Sequence, residues 1–165
     1  MVQTDDRATT KMPRALLIAT VVLLAIRLVS IPFQMAQSHN YASPVNWTAL
    51  DQFDPKSNTE QKPVIYEFCA DWCEPCKRMD SSVFTNKEIA ALIMKRFVAI
   101  KVRDRLKEDG RNTEIISSLE KKYHVFAFPT LVVVGSNGEA VATLVGSASA
   151  LSTVHFLSRS VRAAR

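Results

Sequence analysis

The sequence is poor in the residues that hold metals. It has three cysteines and three histidines among 165 residues. His39, His124 and His155 are scattered, and no second cysteine pair lies at a zinc-like spacing. Neither a metal nor a cofactor is expected. An odd cysteine count also excludes a scaffold built only of disulfides, whereas one redox pair plus a separate thiol fits it. Basic residues are not interleaved with aromatics in the manner of RNA-binding modules. The formal charge is +5, and basic residues cluster near the two ends, at Arg7, Lys11 and Arg14 and at Arg159, Arg162 and Arg165. This reads as a solvated basic surface, so no nucleic-acid partner is expected. Repeats and low-complexity tracts are missing too, and the length suits a single domain. Apolar residues make up 47%, enough for a core.

Charge is missing from one stretch in particular. Residues 15–26 carry none, Arg27 interrupts, and the apolar pattern resumes to Phe33. Residues 15–33 are just long enough to span the apolar core of a bilayer. Arg27 lies near the far end, where its side chain reaches the interface. Lys11 and Arg14 precede the run, and no Lys or Arg lies between Arg27 and Lys56. The positive-inside rule puts residues 1–14 in the cytoplasm and the remainder outside. We expect an uncleaved single-pass anchor in the cytoplasmic (inner) membrane, with its domain in the periplasm or its extracellular equivalent. The competing reading is a signal peptide reaching to Ser38, where Ala36-Gln37-Ser38 offers a cleavage site and a secreted periplasmic product. Either way the cysteines meet an oxidising compartment.

What is present is Cys69-Ala70-Asp71-Trp72-Cys73-Glu74-Pro75-Cys76-Lys77, directly after the apolar run Val64-Ile65-Tyr66-Glu67-Phe68. Two cysteines separated by two residues, at a strand end and a helix start, form a reversible redox switch. One helical turn keeps their Cα atoms within the roughly 7 Å that a disulfide allows. Cys73 then sits at the helix N-terminus, where unpaired N–H groups and the helix dipole favour a thiolate. That thiolate is the nucleophile of disulfide exchange. Cys76, one turn in and expected to be the less exposed, is the resolving thiol. Two other readings stay open: a permanent disulfide in a binding module, and metal ligation. Cys69, Cys73 and Cys76 also match the C-x3-C-x2-C spacing of radical enzymes with an iron–sulfur cluster. That chemistry needs a larger barrel, and Cys69 falls inside the strand. Cys69 reads as a buried small hydrophobe.

Residues 34–61 read as a polar linker, with a short strand or helix near 47–53. A strand is predicted over 64–69 and a helix from 75 to about 82, with Pro75 tolerated in its first turn. Asn86 caps a helix over 87–96, where Ile89, Leu92 and Ile93 fall at helical spacing. A strand over 97–102, a charged loop over 104–112 and an amphipathic helix over 113–123 follow. Residues 130–134 form a buried strand. Asn137-Gly138 signals a hairpin into a return strand over 139–145. Gly146 breaks the chain before a last helix over 150–162.

Three ordered stretches resemble the thioredoxin superfamily. Ala70 to Lys77 resembles its active-site signature. Lys122-Tyr123-His124-Val125-Phe126-Ala127-Phe128-Pro129-Thr130 resembles the segment that ends in its cis-proline. Gly146 followed by a helix resembles its C-terminal end. The resemblance covers residues 62–158 and implies an α/β thioredoxin fold over 62–165, a central mixed sheet flanked by helices. Within the superfamily, Lys62-Pro63-Val64 and Ser82-Val83-Phe84-Thr85 resemble the C-terminal domain of bacterial transmembrane disulfide reductases. Glu74-Pro75 is similar to membrane-anchored thioredoxins of cytochrome c maturation.

The resemblance implies a protein-disulfide oxidoreductase acting on exported protein thiols and disulfides, as reductase or isomerase. Apocytochrome thiols are among the implied substrates. A membrane or thioredoxin-type electron donor would recharge the pair. Strand alternation puts Glu67 on the same side as Cys69, and the resemblance makes it the buried acid that handles the resolving thiol's proton. A cis peptide is implied at Phe128-Pro129, beside Cys73. There the backbone of Phe128, Pro129 and Thr130 would pair with an extended substrate segment. Trp72 is expected in the apolar rim around the thiol.

Overall fold

Alternation along Val64–Ala70 decides how the chain is layered. Ile65, Glu67 and Cys69 point to one face of this strand and Tyr66 and Phe68 to the other, and every residue after Val64 is buried. A strand buried on both faces needs a cover on each. In the computed structural model, which describes residues 18, 19 and 43–164, five strands form one mixed sheet. They are β1 (Thr48–Ala49), β2 (Val64–Ala70), β3 (Val98–Asp104), β4 (Thr130–Val134) and β5 (Ala140–Val145), in the order β1-β3-β2-β4-β5. β1 and β2 run parallel to β3, while β4 is antiparallel to both β2 and β5.

The helices are α1 (Glu74–Ser82), α2 (Lys87–Arg96), the single turn α3 (Leu106–Asp109), α4 (Glu114–Lys122) and α5 (Ala150–Ala163). Ile65, Leu131 and Val133 pack with Met79 of α1, Ile89 and Ile93 of α2 and Leu157 of α5. On the other face, Phe68, Ile100 and Val132 pack with Ile116 and Leu119 of α4. Asn86 caps its helix as the sequence suggests, accepting from the N–H groups of Glu88 and Ile89; Thr113 accepts likewise from Ile116, and Ser149 from Ser152. The hairpin turns at Gly138, whose φ of +77° lies in the left-handed region that glycine tolerates. Val133 pairs with Ala142 and Val134 with Ala140, so Val141 is an extra, bulged residue.

Two expectations are revised. Residues 43–61, read as part of a linker, lie folded against the sheet. Thr48 and Ala49 pair with Ile100 and Lys101. Val45 is buried, and Trp47 packs edge-on against Phe84 with ring centroids 5.2 Å apart. The polar composition concealed this because Val45 and Trp47 carry so much of the packing. The strand and the 3-10 turn at Leu50–Gln52 occupy the place expected for a short element. Residues 104–112, read as a loop, contain α3, a turn too short to leave a periodic signal.

No helix among the described residues is long and apolar enough to cross a membrane. The expected tail over 1–14 and span over 15–33 lie outside the described residues, apart from Ile18 and Ala19.

Candidate active site

The step from β2 into α1 brings the two sulfurs together. Cys73 is the N-cap of α1, with extended backbone at φ −80° and ψ 95°. Glu74 and Pro75 fill the first helical positions, where a proline removes an N–H that has no partner within the helix. The Sγ of Cys73 accepts the backbone N–H of Cys76 at 3.2 Å. The two Cα atoms are 5.3 Å apart and the sulfurs are bonded to each other. Cys73 is 1% and Cys76 2% exposed, so Cys76 is not the more hidden residue that its place in the helix suggested. In this oxidised state Cys69, Ala70 and Phe128 pack around both. What distinguishes Cys73 is the cap position.

The Phe128-Pro129 peptide is cis. Pro129 is buried, and its carbonyl accepts the N–H of Gly146 at 2.8 Å. Phe128 is half-buried against the cysteines and meets Trp72 edge-on, with centroids 6.0 Å apart. Trp72 is 46% exposed, which places it on the rim and not in the core. Thr130 opens β4 directly after the cis-proline. It is buried, and its Oγ1 donates to the carbonyl of Ala127 at 2.8 Å. The first residue of β4 turns its side chain inward to brace the preceding turn, so that side chain is not presented to a substrate. Trp72, Leu106, Lys107, Val125, Phe126 and Phe128 line a groove of about 390 Å³. Phe126, missed in the sequence, is the most exposed large apolar side chain among the described residues.

Glu67 is fully buried. It lies opposite Lys101 in the β2–β3 register, and Lys101 Nζ stands 3.2 Å from its Oε2. The ammonium is aligned instead on Asp80 of α1, donating to Oδ1 at 2.9 Å and Oδ2 at 3.1 Å. Both Glu67 oxygens are left without a well-formed hydrogen bond. Burial therefore pushes the Glu67 carboxyl up to about 7; Lys101 opposes the rise and Asp80 adds to it. Lys101 stays firmly protonated: burial works against its charge, but Glu67 and Asp80 outweigh that. Cys69 is a free, buried thiol, and burial together with Glu67 keeps it neutral. Sequence reasoning found Glu67 but missed Lys101 and Asp80. A signal existed, since Lys101 interrupts Val98-Ala99-Ile100-Lys101-Val102 much as Glu67 interrupts its own apolar run.

A family model described as a thioredoxin-like domain matches residues 55–158. The chain belongs to the thioredoxin-like family. With its Cys73–Cys76 pair it is a thiol–disulfide oxidoreductase of the thioredoxin type. The thiol:disulfide interchange protein DsbD of Neisseria meningitidis is 36% identical over 86 residues, which is 52% of this chain and 13% of that protein. The chain thus spans a small part of the length of that relative. The solved C-terminal domain of Neisseria meningitidis DsbD, in its oxidised form, is 30% identical, with a TM-score of 0.50 over 64% of this chain and 84% of that one. The oxidoreductase DsbH shares the fold, with a TM-score of 0.58 over 77% of this chain and 92% of that one, at 17% identity.

Glu67 has an ordinary value of 4.5 and is raised to about 7 in the fold. Between those values the folded chain holds a proton that the unfolded chain has released. Stability therefore falls as pH rises through that window, by roughly 3 kcal/mol, and levels off above it. Glu67→Gln should remove this slope. Denaturant unfolding of the oxidised chain at about pH 5 and about pH 8 checks it. A wild-type slope no steeper than that of the variant would contradict the assignment.

Proposed function

We propose that this chain reduces or isomerises disulfides of exported proteins, with Cys73 as nucleophile and Cys76 as resolving thiol. The observation that carries the reading is the cap geometry: Cys73 Sγ accepts the Cys76 N–H in the first turn of α1 and is bonded to a sulfur one turn along. A helix N-terminus stabilises negative charge on such a sulfur. Starting from the dithiol, the Cys73 thiolate attacks one sulfur of a substrate disulfide. The other substrate sulfur leaves as a thiolate and takes a proton from solvent. Cys76 then gives its proton to the Glu67 carboxylate and attacks Cys73 Sγ, releasing the first substrate sulfur. Two electrons pass to the substrate and the chain is left as the disulfide. A carboxyl near 7 accepts and returns a proton at neutral pH.

The interchange activity named for the DsbD relatives supports this chemistry. A membrane or thioredoxin-type donor would restore the dithiol, and apocytochrome thiols are substrates the reading admits. Cys73→Ser should abolish disulfide turnover. Cys76→Ser should accumulate mixed disulfides with client proteins, visible on non-reducing gels and lost with dithiothreitol. A Cys73→Ser chain that keeps its partners, together with a Cys76→Ser chain that traps none, would favour a binding module with a structural disulfide.

We propose further that residues 15–33 tether the domain to the cytoplasmic membrane and place it on the outer side. The uncharged run, the preceding Lys11 and Arg14, and the lack of Lys or Arg from residue 28 to 55 support this. Alkaline carbonate should leave the chain in the membrane pellet, and protease added to spheroplasts should digest the domain. Recovery of a shortened chain in the soluble periplasmic fraction would instead establish signal cleavage.

A further inference from the structure

Asp71 directly follows β2 and directly precedes Trp72, and two arginines of the β3 end hold it. Arg103 Nη1 lies 3.0 Å from Oδ1, and Arg105 Nη1 donates to Oδ2 at 2.8 Å. Arg105 also donates from Nε and Nη2 to the two oxygens of Asp109, each at 3.0 Å. One guanidinium thus links the redox loop to the α3 turn through forked, charge-assisted hydrogen bonds. α3 buries none of its residues, so packing does not fix it. Asn112 closes the base of the loop, accepting the Arg105 N–H at 2.6 Å and donating to Asp104. The turn itself carries Leu106, 58% exposed, and Lys107, whose ammonium stands 5.2 Å from the Trp72 ring centroid. Leu106 and Lys107 share the groove with Trp72, Phe126 and Phe128.

We propose that Asp71 is a positioning residue for partner docking: through Arg103 and Arg105 it holds the α3 turn beside Trp72, and so shapes the groove that receives the segment flanking a partner's disulfide. The proposal rests on the oxidoreductase reading above and names what that site uses to hold a protein partner. Asp71 acts on docking and not on sulfur chemistry, because its side chain is 42% exposed and is matched by two guanidinium groups. Exposed ion pairs contribute little to global stability, so Asp71→Asn keeps the fold.

Small disulfides do not need the groove, and this separates docking from chemistry. The full chain, as wild type, Asp71→Asn and Asp71→Glu, is assayed against insulin and against hydroxyethyl disulfide, with dithiothreitol restoring the dithiol. Asp71→Asn should raise KM for insulin by about threefold to tenfold with kcat held, the signature of lost uniform binding. Its kinetics with hydroxyethyl disulfide should match wild type. Asp71→Glu, which keeps the charge, should recover most of the insulin KM. Equal slowing with both disulfides would assign Asp71 to the chemistry or the fold and overturn the proposal. An unchanged insulin KM would overturn it as well. If the wild type turns over neither disulfide, the oxidoreductase reading itself has failed, and the docking role falls with it.

Discussion

The site depends on where α1 begins relative to the end of β2. Ala70 closes the strand, and three residues later Cys73 caps the helix. That short step puts the Cys76 N–H of the new helix's first turn against a sulfur, and puts a second sulfur one turn further on. Pro75 fits because its ring sits where no intrahelical N–H is needed. A start one residue later would leave Cys73 outside the cap, with its sulfur no longer facing the Cys76 N–H. The sheet fixes this start, since β2 is paired on both sides, with β3 and with β4.

The same central strand carries a liability on which the proposed chemistry draws. A carboxylate at the Glu67 position is costly to bury, and Lys101 compensates it incompletely because Asp80 takes the ammonium's hydrogen bonds. The result is a carboxyl that holds its proton close to neutrality. Burial in the middle of a five-stranded sheet thus turns an ordinary glutamate into a group fit for proton exchange. Cys69, two residues along on the same face, is silenced by the same surroundings.

Local features were legible in the sequence. The paired cysteines, the strand before them, the Asn86 cap and the Asn137-Gly138 turn each depend on a few neighbouring residues, and each is where the pattern put it. Glu67 was legible as a charge inside an apolar run. Features made by contact across the fold were not. Lys101 and Asp80 meet Glu67 only through the β2–β3 register and the packing of α1. Residues 43–61 looked like a linker because a few scattered apolar side chains, Val45, Trp47, Leu50 and Phe53, do the packing of a polar stretch. The bond from the Thr130 hydroxyl back to Ala127 was not legible, because alternation does not report such a contact. The equal burial of Cys73 and Cys76 follows from the packing of Phe128 and Cys69 around both, which the spacing of the pair does not report.

The central claim is that the cap position makes Cys73 the attacking sulfur. Reduced chain treated with limiting iodoacetamide near neutral pH, then digested and weighed by mass spectrometry, reads this directly. The account predicts that label appears on Cys73 well before Cys76, with Cys69 left unmodified in the folded chain. Label arriving first on Cys76, or equally on both, would contradict it.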